Sequence, residues 1–367
     1  MTWTRLVAVA ALFIGLAGQS PAADLYIGEN IRVPLPSAGS RSFEALLVRS
    51  NEPGCYPLAL ITHGSPRSPY ERPNMSPLAM LPQAIEFARR GWAAVVLMRR
   101  GYGSSDGGWA EDYGACADPR YIATAAAAAA DLKAAIASLG SRPDIDTSRV
   151  ISVGVSAGGF AAVALAADPP AGLVAAINFA GGRGSLRDNE VCREDRLVDA
   201  YRFFGKRPRI PMLWIYAEND HFFGPQLAQR FKQAFTGGGA DVEFISAAAF
   251  GSGGHSLFSQ AGIPVWSGLV DAFLKRQGLV IRATPLPPVP RPALTAPTML
   301  STNGRNAFES YLISPPHKAF ALSREGRFGW QSGQRTTAAA SGGALKFCRQ
   351  GAKTCDVMFV DDAAISK

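Results

Sequence analysis

The sequence has few of the residues from which metal, nucleotide and nucleic-acid sites are built. Its 367 residues include four histidines and five cysteines, and their spacing is not that of a zinc finger. The sequence lacks a glycine-rich phosphate loop and any stretch in which basic and aromatic residues interleave. We therefore expect no metal, no cofactor and no nucleic-acid partner.

The apolar stretch near the N-terminus does not reach the length of a membrane span. Residues 6–18 are apolar, but this stretch is short for a membrane helix. Because it follows Arg5 and precedes small residues at 20–23, it has the pattern of a signal peptide. We expect residues 1–23 to be removed and the protein to be periplasmic or secreted, with no transmembrane span in the mature chain. An uncleaved anchor is the alternative.

What the sequence does contain is a strand–turn–helix pattern around Ser156. The apolar run at 150–153 leads into Gly-Val-Ser-Ala-Gly at 154–158, and small or apolar residues follow at 159–165. A sharp turn of this kind exposes the serine hydroxyl in a strained backbone conformation, and small neighbours let strand and helix approach closely. The pattern predicts that Ser156 is a nucleophile. An ordinary strand-to-helix turn capped by serine is the alternative.

A carboxylate and an imidazole follow in the order that such a nucleophile turn uses. Asp220 comes soon after the apolar run at 211–216, and His255 lies in a glycine-rich loop after a predicted strand at 241–245. An imidazole can take the serine proton, and a buried carboxylate holds the imidazole in the required tautomer. We predict that Ser156, Asp220 and His255 form a catalytic triad.

Two neighbouring residues compete for these roles. Glu218 is a rival acid two positions before Asp220, and His221 is a rival base directly after it. Asp220 is favoured because the first residues past the strand must complete the turn towards the histidine. His221 is disfavoured because a base adjacent to the acid in sequence cannot adopt ordinary triad geometry.

The sequence also predicts an oxyanion hole, which stabilises the charged oxygen of a tetrahedral intermediate with amide donors. A predicted central strand at 58–62 runs into His-Gly-Ser-Pro at 63–66. The glycine there gives the backbone freedom to aim the amide of Ser65 at the nucleophile. The amide of Ala157, directly after the nucleophile, would be the second donor. A generic Gly-Pro turn is the alternative.

Together these motifs resemble the α/β-hydrolase superfamily. The matching pieces are His-Gly-Ser-Pro at 63–66, Arg-Arg-Gly-Tyr-Gly-Ser-Ser-Asp-Gly at 99–107, the turn at Ser156, the acid at Asp220 and Gly-His at 254–255. Within the superfamily the chain is similar to dienelactone-hydrolase-like and related esterase or peptidase branches. Dienelactone hydrolases carry cysteine as the nucleophile, so the serine argues against dienelactone as the substrate and favours general serine-esterase chemistry.

The predicted fold class is α/β, with a mostly parallel central sheet. Continuous apolar runs indicate strands that are covered on both faces, and they occur at residues 58–62, 92–98, 150–155, 173–179 and 212–216. Between them, an alanine-rich helix is predicted at 122–139. We expect an α/β-hydrolase domain over residues 24–278 that closes with a helix at 267–277.

A second, smaller domain is predicted after this one. A proline-rich stretch marks residues 279–298 as a stiff linker. Residues 299–367 are expected to form a small disulfide-bonded α+β domain, with strands at 318–323 and 356–360 and a partly helical segment at 337–350. The sequence does not indicate the role of this domain or the oligomeric state of the protein.

Export would place the cysteines in an oxidising compartment, where they form disulfides. Cys116 and Cys192 both lie in loops that follow strands, at the carboxyl edge of the sheet where ligands bind. Cys55 precedes its strand and lies at the opposite edge. We therefore predict a bridge between Cys116 and Cys192 above the site. Cys348 and Cys355, close in sequence, are expected to pair, which leaves Cys55 over.

The loops above the site at 107–119 and 181–208 are too short to form a large lid, so we expect a pocket for a small or medium acyl ester. Candidate lining residues, with core packing as the alternative, are Trp109, Tyr113, Phe222, Phe223, Tyr70 and Tyr102. The sequence predicts an exported serine hydrolase that cleaves carboxylic esters through an acyl-enzyme. A serine peptidase with the same residues and a catalytically silent binding protein are the alternatives.

Overall fold

The computed structural model describes residues 25–35, 41–206 and 210–365. The predicted signal peptide at residues 1–23 lies outside these residues and stays a prediction. Within the described part of the chain, the helix Tyr121–Leu139 alone has the length and apolar composition of a membrane span, and half of it is buried inside the protein. This burial fits a core helix.

Among the described residues, the first and larger part of the molecule contains ten strands and six α-helices. The strands are β1 (Tyr26–Pro34), β2 (Ser42–Ser50), β3 (Tyr56–Thr62), β4 (Ala93–Leu97), β5 (Ile145–Val155), β6 (Leu173–Phe179), β7 (Ser185–Arg187), β8 (Glu190–Val191), β9 (Met212–Ala217) and β10 (Glu243–Ala247). The helices are α1 (Leu81–Arg89), α2 (Tyr121–Leu139), α3 (Ala157–Ala167), α4 (Glu194–Gly205), α5 (Pro225–Gly237) and α6 (Ile263–Arg276).

Eight of these strands form one sheet, in the order β1-β2-β4-β3-β5-β6-β9-β10. The pairs from β4 to β10 are all parallel, whereas β1 pairs with β2, and β2 with β4, in antiparallel fashion. The sheet is therefore mostly parallel, as predicted. Its parallel strands end at one edge, and the loops that leave this edge carry the residues discussed below.

Both faces of the sheet are covered by apolar side chains. In β3, Leu58 and Leu60 pack into a cluster with residues of α2, α3, α4 and α5. Their neighbours Ala59 and Ile61 pack into the opposite cluster, with residues of α1 and α6. Complete burial of one large aliphatic side chain contributes about 1.5–3 kcal/mol. Coverage on both faces explains why these strands are continuous apolar runs.

The five strands predicted from apolar runs are all present, with ends that differ by at most a few residues. The closing helix α6 begins at Ile263, four residues before the predicted start at 267. The sequence analysis missed β1 and β2. In β1, half-buried and exposed residues alternate along most of the strand, so it has no apolar run from which to predict it.

A smaller unit follows near the end of the chain, and we call residues 299–365 the C-terminal module. Its helices are α7 (Thr302–Ile313) and α8 (Thr337–Cys348), and its strands are β11 (Ala319–Leu322), β12 (Phe328–Gln331), β13 (Asp356–Val360) and β14 (Ala363–Ala364). The strands form an antiparallel sheet in the order β12-β11-β13-β14. Phe308 of α7 packs on one face of this sheet and Ala344 of α8 on the other.

The proline-rich segment between the two units lies against the larger one. Leu286 and Arg89 exchange two hydrogen bonds, with Leu286 N donating to Arg89 O at 2.9 Å and Arg89 Nε donating to Leu286 O at 2.7 Å. The hydroxyl of Tyr26 donates to the carbonyl of Pro287. The segment is thus attached to β1 and α1 at residues 286 and 287.

Both predicted disulfides are present. Cys116 and Cys192 are bridged with their Cα atoms 5.3 Å apart, and Cys348 and Cys355 with theirs 6.2 Å apart. Cys55 is a free, exposed cysteine. The first bridge joins the loop after β4 to the segment after β6, which is the connection that the positions of these loops at the carboxyl edge predicted.

Candidate active site

Ser156 occupies the turn between β5 and α3 in a strained conformation. Its φ of 56° and ψ of −123° are rare for a residue with a side chain and cost about 1–3 kcal/mol. Hydrogen bonds hold the turn, since Ser156 N donates to Phe179 O at 2.9 Å, and Ser156 O accepts from Phe160 N at 3.0 Å and Gly182 N at 3.1 Å. The predicted strand–turn–helix geometry is therefore found at this serine.

Close approach of the backbone explains the glycines beside Ser156. A Cβ atom at Gly154 would lie 2.1 Å from the carbonyl oxygen of Gly158, and one at Gly158 would lie 2.4 Å from that of Thr62. A Cβ atom at Gly64 would lie 3.0 Å from Cβ of Ser156. Gly64 has no left-handed φ, so what favours glycine there is the limited space beside Ser156 rather than the backbone freedom that we expected.

Asp220 and His255 meet at the ends of β9 and β10. Asp220 Oδ2 lies 2.9 Å from His255 Nδ1. Its other oxygen, Oδ1, accepts hydrogen bonds from the amides of Phe222 at 2.7 Å and Phe223 at 3.1 Å. The Asp220 side chain is fully buried, so the carboxylate is fixed in position and orients the imidazole through Nδ1.

The rival acid has a different environment. Glu218 is exposed, and its backbone amide donates to Ala247 O. His221 follows the acid directly, and its carbonyl accepts a hydrogen bond from Asn189 N at 2.7 Å. Asp220, and not the rival acid Glu218, therefore contacts the imidazole of His255. That imidazole, and not the one of His221, is the one paired with the buried acid.

Asn219, which the sequence analysis did not single out, ties down the loop that carries His255. Its side chain donates to the carbonyls of Phe250 and Gly251, and it accepts from Phe250 N at 2.8 Å. Gly254 then passes close to the end of β9, since a Cβ atom there would lie 2.5 Å from Cβ of Ala217. Its position between two acids after a buried strand was the only signal for this asparagine.

The two predicted oxyanion donors line one small cavity together with Ser156. Ala157 is the first residue of α3, so its amide has no acceptor within the helix, and the positive end of the helix dipole lies there. The side chain of Ser65 lies with its Oγ 2.9 Å from the hydroxyl of Tyr102. Ser65 and Ala157 thus line the same cavity as Ser156, and their role as oxyanion donors stays a prediction.

A buried network of charges lies beneath this cavity. Glu111 accepts hydrogen bonds from the guanidinium groups of Arg99 and Arg183, and Glu111 and Arg99 are almost completely buried. The hydroxyl of Tyr102 lies 3.0 Å from Glu111 Oε2 and accepts from Trp109 Nε1 at 3.1 Å. Burial would raise the pKa of Glu111, but Arg99 and Arg183 outweigh this effect and lower the pKa to about 2. The network is therefore charged and carries one more positive than negative group.

The sequence analysis found this network only in part. Arg99 and Tyr102 belong to the motif at 99–107, but nothing in the sequence marked Glu111 or Arg183 as their partners. Arg183 also lines the small cavity. Its two terminal nitrogens donate to Glu111, whereas its Nε is buried without a hydrogen-bond partner among the described residues.

Two connected cavities meet at Ser156. The smaller, of about 110 Å³, is lined by Ser65, Ala157 and three arginines, Arg67, Arg72 and Arg183. The larger is an open cleft of about 520 Å³ that Ser156 shares with His255. Because Ser156 lines both cavities, a molecule bound at the serine could place one substituent in each. The sizes fit a small or medium substrate.

The predicted lining aromatics divide into three groups. Four of them line the small cavity, namely Trp109, Tyr113, Phe222 and Phe223. Tyr102 lies fully buried in the charge network, and Tyr70 is 86% exposed and lines neither cavity. The lining prediction was thus wrong for both: Tyr102 is packed in the interior, which was the alternative, and Tyr70 turns outward in a loop whose direction the sequence does not indicate.

Phe222 joins the catalytic histidine candidate to the rim of the site. Its ring stacks on the imidazole of His255 with centroids 4.0 Å apart and an angle of 13° between the planes. The guanidinium carbon of Arg67 lies 3.8 Å from the centroid of the Phe222 ring. Among the described residues, no group of three or more His, Cys, Asp or Glu side chains is placed to hold a metal ion.

Comparison with known proteins yields one family match. The model of the X-Pro dipeptidyl-peptidase (S15 family) matches residues 65–207, which is less than half of the chain. A search of the curated proteins finds no match to this chain. The matched region includes Ser65 and Ser156 but ends before Asp220 and His255.

Solved structures with a similar fold come from esterases and peptidases. An esterase from Pyrococcus furiosus is 15% identical, with 71% of this chain and 95% of that chain covered and a TM-score of 0.49. A protein provisionally named as a dienelactone hydrolase from Klebsiella pneumoniae is 15% identical (68% and 99% covered, TM-score 0.47). An acylaminoacyl peptidase from Pyrococcus horikoshii is 17% identical (69% and 42% covered, TM-score 0.49).

These identities are too low to transfer a substrate. The mostly parallel eight-stranded sheet and the strained serine between β5 and α3 give the described residues an α/β-hydrolase fold. Over residues 65–207 the chain is similar to the S15 family of X-Pro dipeptidyl-peptidases.

Proposed function

We propose that this protein is an exported serine hydrolase that cleaves small or medium carboxylic esters through an acyl-enzyme. The observation that carries the proposal is the pairing of His255 with the buried Asp220 in a cleft that also contains Ser156. Ser156 would be the nucleophile, His255 the general base and acid, and Asp220 the residue that orients the imidazole.

The reaction would proceed in two halves. As Ser156 Oγ attacks the ester carbonyl carbon, His255 Nε2 takes the hydroxyl proton, and the amides of Ser65 and Ala157 stabilise the oxyanion. The carbon–oxygen bond to the alcohol then breaks, and His255 returns the proton to the leaving oxygen. Water attacks the acyl-enzyme in the second half, with His255 again as base, and releases the carboxylic acid and free Ser156.

The charge of the small cavity favours an ester substrate over the peptidase alternative. A dipeptidyl peptidase must bind a protonated N-terminal amine close to its nucleophile. Arg67, Arg72 and Arg183 line the small cavity, and no acidic residue is among its described lining residues. Arg67 and Arg183 are paired with Asp188 and Glu111, but the arginines lining the cavity, together with Arg99 beneath it, still leave an excess of positive charge, which disfavours an ammonium group nearby. The cavity therefore suits a neutral or negatively charged substituent.

The cysteines support export. Two disulfides, of which Cys116–Cys192 lies next to the site, are stable in an oxidising compartment and rare in the cytosol. The signal-peptide pattern at residues 1–23 points to the same compartment. The periplasm or the extracellular medium is thus the proposed location.

Two measurements test the proposal. A fluorophosphonate probe should label the folded protein, and mass spectrometry should find the label on Ser156, with Ser156→Ala as the unlabelled control. Hydrolysis of p-nitrophenyl acetate and butyrate should then be compared with hydrolysis of Gly-Pro p-nitroanilide. We expect a higher kcat/KM on the esters. A higher value on the anilide would favour the peptidase, and no labelling at all would favour a silent binding protein.

A further inference from the structure

One wall of the substrate site is formed by residues 69–80, which we call the pocket segment. It consists of two short 3-10 helices, Pro69–Asn74 and Pro77–Met80. Arg72 lines the small cavity, where its guanidinium stacks on Trp109 at 3.5 Å from the ring centroid. Glu71 and Met75 line the larger cleft. The position of this segment therefore shapes both cavities beside Ser156.

The two halves of the pocket segment are packed differently, since Pro77 and Met80 of the second helix are buried and Met80 belongs to the core cluster beneath α1 and α6. No residue of the helix Pro69–Asn74 is buried. A segment without buried apolar contacts opens at low cost in free energy unless other contacts hold it. The position of the first helix, and of Met75 after it, must therefore depend on polar contacts made from outside the segment and on its connection to the buried second helix.

Those contacts come from the C-terminal module. Nη1 of Arg335 donates to the carbonyl oxygen of Met75 at 2.9 Å. Nη1 and Nη2 of the same guanidinium donate to the two carboxylate oxygens of Glu44, each at 3.0 Å. The neighbouring Gly333 also lies against the segment, since a Cβ atom there would be 2.7 Å from Cα of Ala79. Arg335 thus reaches from the module to the outer side of the pocket segment.

Glu44 connects this contact to the other end of the segment. Its Oε2 also accepts a hydrogen bond from Ser104 N at 2.7 Å. In the same turn, Gly103 N donates to the carbonyl oxygen of Arg72 at 2.9 Å. The segment is thus held at the carbonyls of residues 72 and 75, and the Arg335–Glu44 pair links the two attachment points. Two-pronged bonds between arginine and a carboxylate fix direction as well as distance.

The module presents Arg335 from a rigid element. The next residue, Thr336, caps α8 by accepting a hydrogen bond from Ala339 N at 3.1 Å. At the other end of α8, Cys348 is bridged to Cys355, which directly precedes β13. The backbone of Arg335 therefore does not move independently of the module.

We propose that the C-terminal module supports the substrate pocket, and that Arg335 is a positioning residue that fixes the pocket segment through Met75 and Glu44. It touches no reacting atom, and it acts by keeping Arg72 against Trp109 and beside the nucleophile. The kinetic consequence rests on the proposed ester hydrolysis, whereas the structural consequence does not. The module thereby gains a role that its sequence did not indicate.

The test uses the full-length protein and the variant Arg335→Ala. Hydrogen–deuterium exchange should become faster in peptides that cover residues 69–80, and the peptides of β5 and β6 should be unchanged. KM for p-nitrophenyl butyrate should rise about three- to tenfold, with kcat within twofold of the wild type. Arg335→Lys keeps the charge but loses the two-pronged geometry. Its exchange rate at residues 69–80 and its KM should therefore lie between those of the wild type and Arg335→Ala.

Two further variants separate positioning from a general loss of stability. Arg291→Ala removes an exposed ion pair with Glu309 of α7 and should change neither exchange at 69–80 nor KM. Glu44→Gln weakens the same contact from the side of β2. It should raise exchange at residues 69–80 and KM as Arg335→Ala does, and exchange within the C-terminal module should stay as slow as in the wild type.

The outcomes are distinct. Wild-type exchange at 69–80 in Arg335→Ala would overturn the proposal, as would faster exchange spread over the whole module in both Arg335→Ala and Glu44→Gln. If the wild type proved inactive on esters, the proposed function would fail, but local exchange at 69–80 would still decide whether Arg335 holds the segment.

Discussion

The eight-stranded sheet and the C-terminal module bury apolar residues in different ways, and only the sheet provides an edge for chemistry. The sheet lies between two large clusters, and its parallel strands end together. The module packs two small clusters on an antiparallel sheet whose strand ends alternate between the two edges. Ser156, Asp220 and His255 all follow strands of the parallel sheet.

This difference is consistent with the proposed division, in which the larger unit carries the chemistry and the C-terminal module supports the pocket. Loops from neighbouring parallel strands converge at the carboxyl edge, which is where ligands bind in sheets of this kind. An antiparallel sheet gathers no such set of loops on one side. The following predictions test this division, beginning with the largest expected effect.

The first prediction concerns the nucleophile. Ser156→Ala should lower kcat for p-nitrophenyl esters by up to about 10⁶-fold, as in other enzymes that lose a triad serine. The circular dichroism spectrum should be unchanged, because alanine keeps the Cβ atom and adds no volume. A variant with near wild-type turnover would place the chemistry elsewhere and remove the distinction between the two units.

The second prediction concerns the acid. Asp220→Asn should keep the contacts at the end of β9 but lower kcat about 10⁴-fold, because an amide favours the wrong imidazole tautomer. Glu218→Gln is the matched control and should have a small effect, since Glu218 is exposed. The reverse ranking would make Glu218 the acid.

The third prediction compares the disulfides of the two units. The Cys116–Cys192 bridge spans 76 residues and the Cys348–Cys355 bridge spans seven. Chain entropy alone predicts stabilisation of about 4.5 kcal/mol for the first bridge and about 2.5 kcal/mol for the second. Urea unfolding of the two double serine variants should show the larger loss for the pair at 116 and 192. The opposite order would show that the small module depends more on its bridge than the large sheet does.

The fourth prediction concerns acid stability of the sheet. Burial, followed by the charge of Arg99, lowers the pKa of His63 from 6.5 to about 3. Below pH 6.5 the unfolded state therefore binds a proton that the folded state does not, so the free energy of unfolding decreases as the pH falls towards 3. The slope is about 1.4 kcal/mol per pH unit, or about 2 kcal/mol between pH 6.5 and 5.

His63→Asn tests this prediction, because asparagine does not titrate. Urea unfolding at pH 7 and pH 5 should show a smaller difference in the variant than in the wild type. Glu111, with its pKa near 2, loses its contribution only as the pH falls below its ordinary value of 4.5, outside this window. Equal differences in the two proteins would contradict the assignment to His63.

Much of the larger unit could be predicted from the sequence because its signals are local. Each central strand is a continuous apolar run, and the glycines around Ser156 lie within a few residues of it. The Cys116–Cys192 pairing needed one further step, namely the side of the sheet on which each loop emerges. By contrast, β1 could not be predicted, because an edge strand with alternating burial has no such run.

The polar contacts between distant residues could not be predicted. Glu111 and Arg183 are 72 residues apart, and Glu44 and Arg335 are 291 apart. Arginines and glutamates are frequent throughout the sequence, and no local pattern distinguishes a buried partner from a solvated side chain. Tertiary packing decides which of these side chains are buried. A charged side chain that is buried without a partner destabilises the folded state, so the buried ones are paired.

The sequence by itself determined that the candidate catalytic residues each follow a strand, that the sheet is mostly parallel and which cysteines can form disulfides. Periodicity and spacing along the chain carry this information. Only the tertiary structure decided that Asp220 rather than Glu218 faces His255, that arginines line the small cavity and that the C-terminal module reaches the pocket segment. These features depend on side-chain direction and on contacts across hundreds of residues. Such contacts form when the separate apolar faces pack together, so no single stretch of sequence contains them.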